Sequence, residues 1–299
     1  SVMYSPKITL LDSGRGSPFL KILFSLKHRL KQNFEALFLP PQEGIMEALF
    51  FGDETKIPQA LKDKLNLVGV RHITAVSGMN ITIIASLILS LALAMGLRRQ
   101  QAFFLSLFLL VLYILMLGAP ASAVRAGIMG GILMVAQYFG RLSSAFRAVV
   151  IAAFLMLLVN PFLLLLDVGF QLSFLAILGI IYWQPFFTNW LKKLPNPNVF
   201  PLRTTLSATL SAQIFTFPVL IYNFGFVSLF SPAANILIVP FLAPITILIF
   251  IFGFMGMVFW PLGFILSIPV WLSLTYIVKV IDFFSKIPYA TLHLANLHW

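Results

Sequence analysis

The feature that most constrains this chain is a series of apolar segments, each about as long as a bilayer's hydrocarbon core is thick. They cover 73–96, 101–118, 122–139, 145–159, 163–182, 204–222, 228–252 and 256–281. A spanning helix needs roughly 20 mostly apolar residues. Since 60% of the residues are hydrophobic and only 10% are charged, the sequence predicts an all-α polytopic membrane protein with about eight transmembrane helices.

Two of these segments are irregular. The segment 145–159 is short for a span. The segment 228–252 contains Pro232, Pro240 and Pro244, which predict a helix that is bent, broken or split into two half-helices. We count it as one span, because roughly 25 residues cannot cross the hydrocarbon core twice.

The first segment is interrupted by a polar cluster, Ser77–Gly78–Met79–Asn80, shortly after the basic pair Arg71 and His72. Glycine, serine and asparagine favour caps and turns over helix interiors. The cluster therefore predicts a helix that stops and restarts inside the bilayer, with its break at Ser77 and Gly78 and with free N–H groups at the restart. The alternative is a simple kink whose hydroxyl bonds back to the chain.

The region before the first span is amphipathic. An apolar stripe, Phe19, Leu23, Leu26, Leu30, Phe34 and Leu37, has helical spacing. It predicts an interfacial amphipathic helix on the membrane surface, or else a helix packed on another domain. We divide the chain into a linker or domain tail (1–17), this helix and a connecting segment (18–66), a transmembrane channel domain (67–285) and a C-terminal interfacial tail (286–299).

Charges in the connecting loops predict the orientation. One set of loops is basic and the alternate set is uncharged. The basic residues are Arg98, Arg99, Arg141, Arg147, Lys192, Lys193 and Arg203. The positive-inside rule places these in the cytoplasm, so that the N-terminal segment and the C-terminal end lie outside. The basic helix near the N-terminus opposes this orientation, unless anionic lipid headgroups hold it there.

Polar residues inside apolar segments are costly and are candidates for function. The candidate path or pore residues are His72, Ser77, Gly78, Asn80, Arg125, Asp167, Gln171, Gln213 and Asn235. Most of them fall in the half of the membrane that the loop charges predict to be outer. They predict a hydrated, outward-open vestibule, or alternatively a set of hydrogen bonds between helices with no ligand.

Arg125 and Asp167 have opposite charges at similar predicted depth, and a pair would lower the cost of burying each. We therefore expect them to face each other. Arg125 could instead snorkel to the interface or bind an anion. The GxxxG step of Gly127 and Gly131 predicts close helix packing more strongly than a dimer interface.

The sequence offers little for catalysis. It has no cysteine, which excludes disulfides and thiolate metal sites. It has neither a GxxxxGK phosphate loop nor an HExxH motif. We predict no catalytic residue, no metal and no cofactor, and hence a conduit or scaffold rather than an enzyme.

Several motifs taken in order resemble the ComEC-type competence channels of bacterial DNA uptake. The matching stretches are Pro40–Pro41, Phe51–Asp53, His72–Asn80, Gly118, Ser122, Arg125–Ala126, Arg141, Asn160–Pro161, Asp167–Ser173, Pro218, Ser228 and Asn235. The family pattern usually has His then Val where this chain has Met79 and Asn80. Any role that needs an imidazole at that point is therefore in doubt.

The resemblance implies a multi-pass channel in the bacterial cytoplasmic membrane that passes single-stranded DNA during natural transformation. It also implies membrane lipids, an extracellular DNA receptor and a cytoplasmic ATPase or helicase as partners, and a homodimer is conceivable. The nuclease domain of some members has no counterpart in this sequence. The alternative functions are a secondary transporter or flippase for a small anionic or lipid-linked substrate, and a membrane scaffold.

Overall fold

The computed structural model describes residues 18–74, 78–138, 145–197, 201–287 and 291–293. Within these residues the chain is helical apart from two short strands and the connections. The helices are α1 (Pro18–Leu37), α2 (Gln42–Phe51), α3 (Gln59–Val68), α4 (Gly78–Ala94), α5 (Arg99–Leu117), α6 (Ala121–Tyr138), α7 (Ala145–Val159), α8 (Leu163–Leu166), α9 (Val168–Trp190), α10 (Leu202–Phe224), α11 (Ser231–Val258) and α12 (Trp260–Ser285), with strands β1 (Phe226–Ser228) and β2 (Thr291–His293).

Every predicted span coincides with a helix in this part of the chain. Six helical segments are long and apolar enough to cross a membrane: α5, α9, α10, α11, α12, and α4 taken with the 3₁₀ turn Arg71–Ile73 before it. Helix α7 is a shorter apolar helix. The prediction of an all-α polytopic membrane protein is confirmed.

Two spans differ from their prediction in detail. The segment predicted at 163–182 is divided into α8 and α9, because Asp167 adopts an extended backbone and its Oδ1 accepts a hydrogen bond from Phe170 N at 3.0 Å. This side chain caps α9.

Helix α11 runs unbroken for 28 residues through Pro240 and Pro244. Counting one span here was right, and a split into half-helices is not observed.

A central cluster of buried side chains joins α1–α5, the start of α6, α11 and α12. At its middle is α2, in which every residue from Glu43 to Phe51 is buried. Phe34 of α1 contacts Phe50 of α2 and Phe252 of α11, with ring centroids 5.6 and 5.7 Å away. The apolar stripe of α1 thus packs on the protein, and its placement at a membrane surface stays a prediction.

A smaller lateral cluster lies beside it. It consists of Val149, Ala152 and Met156 of α7 with Phe170 and Phe174 of α9. Only 17% of the most apolar stretch of α9 is buried, against 39% for α11. Helix α10 covers α9 so closely that a Cβ on Gly179 would lie 2.3 Å from Ser211 O. The lateral helices therefore present most of their apolar surface outward.

Both ends of the transmembrane region meet at one end of the bundle. Ser231 Oγ, at the start of α11, donates to Gly69 O at 3.1 Å. Lys64 of α3 pairs with Asp282 near the end of α12 at 2.6 Å. Strand β2 pairs antiparallel with β1 at this end. The two ends would meet in this way after an even number of crossings, which is the number that we predict. The side of the membrane on which they lie stays a prediction.

Candidate functional site

The most unusual polar group in the described helices is Arg125, on the first turns of α6. Its side chain is buried, with the residue 5% exposed. Nη2 donates to Ser173 Oγ of α9 at 2.6 Å, whereas Nη1 is buried without a hydrogen-bond partner. A guanidinium carries five donors, and buried donors are nearly always paired. The described residues supply no acceptor for Nη1, so the arrangement offers a place for one.

The start of α4 lies against this part of α6. A Cβ on Gly78 would be 3.8 Å from the Cβ of Ala126, the residue that follows Arg125. The predicted break before Gly78 would leave the first N–H groups and the positive dipole end of α4 free here. We call this meeting of α4, α6 and α9 the junction. Its chemistry suits an anion.

The predicted break in the first span falls between two described elements. A 3₁₀ turn occupies Arg71–Ile73, and α4 covers Gly78–Ala94. Ser77 lies outside the described residues, so the break itself stays a prediction. His72 is exposed in the turn.

Sequence reasoning missed Glu54, whose carboxylate contacts two residues of the segment that leads into α4. Thr74 Oγ1 donates to Glu54 Oε1 at 2.8 Å, and Arg71 Nη2 lies 3.3 Å from Glu54 Oε2. The local sequence gave no signal for this carboxylate, because its partners lie some 20 residues further along the chain.

Arg125 and Asp167 form no direct salt bridge among the described residues, because Arg125 donates to Ser173 and Asp167 Oδ1 accepts from the backbone N–H of Phe170. Asp167 still lies near enough to attract the charge of Arg125, so their predicted proximity stays a prediction. Equal depth and opposite charge do not fix the rotation of two helices, and rotation decides whether the groups touch. A signal was available, since an aspartate directly before a helix is a strong capping residue.

The other candidates have separate roles. Gln171 Nε2 donates to Leu164 O and Leu165 O, at 2.8 and 3.3 Å, and so satisfies carbonyls of α8. Asn80 is buried and donates from Nδ2 to Leu49 O of α2 at 3.4 Å. Asn235 is buried near the start of α11 with Oδ1 unpaired, and Gln213 is half-buried on α10. Of the candidates, the junction brings Gly78 and Arg125 together.

A buried ionic group that the sequence analysis also missed lies under α1. Lys56 Nζ contacts Glu35, lies 2.5 Å from Glu43 Oε1 and lies 2.8 Å from Glu47 Oε1. These carboxylates are the one set in the described residues dense enough to hold a metal ion. The ammonium of Lys56 lies among them and supplies the positive charge, so we read them as a salt-bridge network.

The pKa values of this network shift in the direction that favours its charged forms. Burial alone would lower the pKa of Lys56, but hydrogen bonds to the three glutamates outweigh it and raise that pKa. Partial burial would raise the pKa of Asp53, but hydrogen bonds from Lys31 and Thr55 outweigh it and hold that pKa well below its usual range. Lys31 also lies 3.2 Å from Glu47. Carboxylates of the protein thus neutralise part of the basic charge of α1. The positive-inside rule therefore argues less strongly against placing α1 outside.

The GxxxG step of α6 packs within the chain. A Cβ on Gly127 would lie 2.3 Å from Ile114 Cδ1 of α5, and one on Gly131 would lie 3.7 Å from Leu107 Cδ1. The step therefore serves close packing of α6 on α5, and a homodimer stays a prediction.

These features define a multi-pass membrane protein with a buried, anion-suited junction between helices. The protein-family model described as competence protein matches residues 49–299, and the chain belongs to this family. It is 29% identical over 222 residues to ComE operon protein 3 of Bacillus subtilis (strain 168), an alignment that covers 74% of this chain and 27% of that protein. The match therefore spans about a quarter of that relative. No solved structure matches significantly.

Proposed function

We propose that this chain forms a channel that passes single-stranded DNA across the bacterial cytoplasmic membrane during natural transformation. Membership of the competence protein family supports the general role. The observation that carries the specific proposal is the buried guanidinium of Arg125, whose Nη1 has no hydrogen-bond partner among the described residues.

Phosphate is the acceptor that fits this group best. A guanidinium presents its donors in a planar fork that matches phosphate oxygens. The first N–H groups of α4 add neutral donors and a positive dipole end without placing another full charge at depth. Conduction requires contacts that hold each phosphate weakly, because a tight site would stall the strand. One partly satisfied arginine meets that requirement.

The position of Arg125 suggests where the strand passes. Helix α6 contributes Ala123 and Ala126 to the central cluster, whereas Ile128 and Met129 pack on the lateral cluster. Arg125 thus lies on the boundary between the two clusters, which we call the seam. In this proposal the strand follows the seam, and the sparsely buried lateral helices yield to admit it.

The proposal assigns no catalysis to this chain. An external receptor would deliver DNA, a cytoplasmic ATPase or helicase would supply the energy for translocation, and any nuclease for the second strand would lie elsewhere. A homodimer and the cytoplasmic membrane as location belong to the same proposal.

The test replaces Arg125 with Gln and with Lys in the full-length protein and measures transformation frequency and uptake of labelled DNA. The control is Arg99→Gln, which removes an exposed charge. A hydrogen bond to a charged group contributes roughly 1.5–3 kcal/mol, so we expect Arg125→Gln to reduce uptake about tenfold or more. Arg125→Lys should retain part of the activity, and Arg99→Gln should be near normal.

A second measurement does not depend on how well the variants fold. A photo-crosslinking residue at Met79, exposed in the first turn of α4, should capture labelled single-stranded DNA in the otherwise native protein. Normal DNA uptake by a stably inserted Arg125→Gln variant, together with no crosslink at Met79, would refute the proposed path. If the Arg125→Gln variant lost uptake of small anions but kept uptake of DNA, the transporter or flippase would be favoured.

A further inference from the structure

A groove on the outer surface of the bundle is not used by the proposed DNA path. It lies between α11 and α12 and has a volume of about 420 Å³. Its walls are mainly apolar and include Phe241, Ile245 and Leu272. The size is within the roughly 300–1,000 Å³ of small-molecule sites. Since both helices qualify as membrane spans, the groove opens where acyl chains are the solvent.

The hydroxyl groups of the groove are already engaged. Tyr276 Oη donates to Leu237 O at 2.9 Å, and Ser273 Oγ donates to Pro269 O at 2.7 Å. Thr275 Oγ1 accepts a hydrogen bond from Gln42 Nε2 at 3.2 Å. These groups therefore offer little to a ligand, and an occupant would meet a mainly apolar wall.

The exception is Lys279, which lines the groove and is exposed. The nearest acidic position on its helix face is Asp282, three residues on, but Asp282 is held by Lys64 at 2.6 Å. Among the described residues Lys279 forms no salt bridge. Its Cα lies six residues before the end of α12, or about 9 Å along the axis. A lysine side chain is shorter than that distance, so it carries its charge part of the way towards the headgroups.

We propose that this groove binds one anionic phospholipid, with an acyl chain along Phe241, Ile245 and Leu272 and the headgroup phosphate on Lys279. The apolar wall fits a hydrocarbon chain, and the lysine without a counter-ion supplies the charge complementarity. The groove then selects lipids by headgroup charge, because the ammonium is its one unengaged polar group among the described residues. This site is independent of the DNA path.

The experiment uses the full-length protein in nanodiscs of phosphatidylcholine with 20% phosphatidylglycerol, followed by native mass spectrometry of retained lipid. Lys279→Gln removes the charge from the groove, and Ser273→Leu fills the groove without changing charge. Lys286→Gln is the matched control, since Lys286 is exposed just beyond α12 and does not line the groove. Thermal unfolding of each variant shows that the measured fraction is folded.

We expect the native protein to retain one phosphatidylglycerol in preference to phosphatidylcholine. Lys279→Gln should weaken that retention about fivefold, the loss expected for one lysine near an anionic surface. Ser273→Leu should also weaken it, and Lys286→Gln should not. Equal losses in Lys279→Gln and Lys286→Gln, or full retention in Ser273→Leu, would overturn the proposal. So would displacement of the lipid by single-stranded DNA, or a dimer that dissociates in Lys279→Gln.

Discussion

The central cluster and the seam with the lateral cluster differ in how they hold a buried charge. Neutral polar atoms stay unpaired among the described residues of the central region too, for example Asn235 Oδ1 and Thr246 Oγ1. In the central cluster Glu47 is fully buried, yet it contacts both Lys56 and Lys31. The hydroxyl of Tyr113 in the same cluster donates to Phe50 O. At the seam with the lateral cluster, the buried Nη1 of Arg125 has no hydrogen-bond partner among the described residues. A charged donor is more costly to leave unpaired than a neutral group, which is why we propose a functional role for it.

The two clusters also differ in how much apolar surface they bury. Helix α11 is enclosed by α1, α2, α4, α10 and α12, whereas α9 packs mainly on α10, and α10 joins it to α11. Regions with little buried surface open at lower free-energy cost than regions at the core. The comparison suggests a fixed central body and a lateral part able to move against it. Four predictions, in descending order of their expected effect on stability, test this comparison.

The largest effect should follow from Lys56→Met in the central cluster. Removing the cation leaves the carboxylates of Glu43 and Glu47 next to each other without their shared partner, which costs on the order of 3–5 kcal/mol. We expect the midpoint of thermal unfolding in detergent to fall by on the order of 10 °C, because about 1 kcal/mol corresponds to roughly 2–4 °C in chains of this size. The yield in membranes should fall as well.

Lys64→Met is the control, since it breaks a salt bridge to Asp282 between partners that are each more than one third exposed. Such surface pairs contribute roughly 0–1 kcal/mol. If both variants unfolded at the same temperature, the buried network could not be a main support of the central cluster.

The second prediction concerns the contact between the two lateral helices. In Gly179→Ala the new methyl would lie 2.3 Å from Ser211 O, so α9 and α10 must separate. Overpacking of this kind costs about 1–3 kcal/mol. Gly130→Ala on α6 meets nothing within 4 Å and should be neutral or slightly stabilising, because alanine favours helix. A Gly179→Ala variant as stable as Gly130→Ala would show that this contact is loose.

These two clusters show how far sequence reasoning reaches. Hydrophobic length located the helices, because an apolar run of membrane length has few alternatives to a spanning helix. It did not locate α2, since this short helix is buried on nearly every side and its glutamates are buried with its apolar residues, so no periodicity shows one buried face. The network around Lys56 was missed for a related reason. Its carboxylates come from α1 and α2, and their proximity depends on how these helices fold back on each other.

The candidate site was predictable in part. The cluster around Gly78 marked the start of α4, because glycine and asparagine have local conformational preferences. Arg125 stood out as a charge within an apolar segment. Its partner could not be predicted, since the choice between Asp167 and Ser173 depends on the rotation of α6 against α9. Local chemistry is encoded in neighbouring residues, whereas rotation is set by the packing of the whole bundle.

The third prediction uses pH to test the central network. The pKa of Asp53 is lowered from its ordinary value of 3.8, so its contribution to stability is complete above that value and is lost as the pH falls below it. The pKa of Lys56 is raised from 10.5, so its contribution is complete below 10.5 and is lost only at higher pH. We expect the contribution of this network to stability to be constant between about pH 5 and 9.

Below about pH 4 the native protein should lose stability faster than Asp53→Asn, because the variant has no carboxylate to protonate at this position. The measurement is the thermal midpoint of both proteins from pH 7 to 3. The two curves should converge as the pH falls. A constant difference across this range would mean that Asp53 does not titrate within the folded network as described.

The smallest change in stability should come from the seam itself, in Gly78→Ala. The added methyl would lie 3.8 Å from the Cβ of Ala126, which is an ordinary contact, and a first-turn position requires no unusual backbone angle. We expect a change within about 0.5 kcal/mol and near-normal DNA uptake.

Gly78→Leu carries three more carbon atoms into the junction beside Arg125. It should remain in the membrane with a similar unfolding midpoint but abolish uptake, because the space that it fills is the space proposed for the phosphate. Transformation frequency and thermal midpoint, measured on both variants, separate the two effects. If Gly78→Leu transported DNA normally, the start of α4 would not border the path. If Gly78→Ala already unfolded the protein, the seam would be as tightly packed as the central cluster, and the contrast between the two regions would fail at the point where it matters for function.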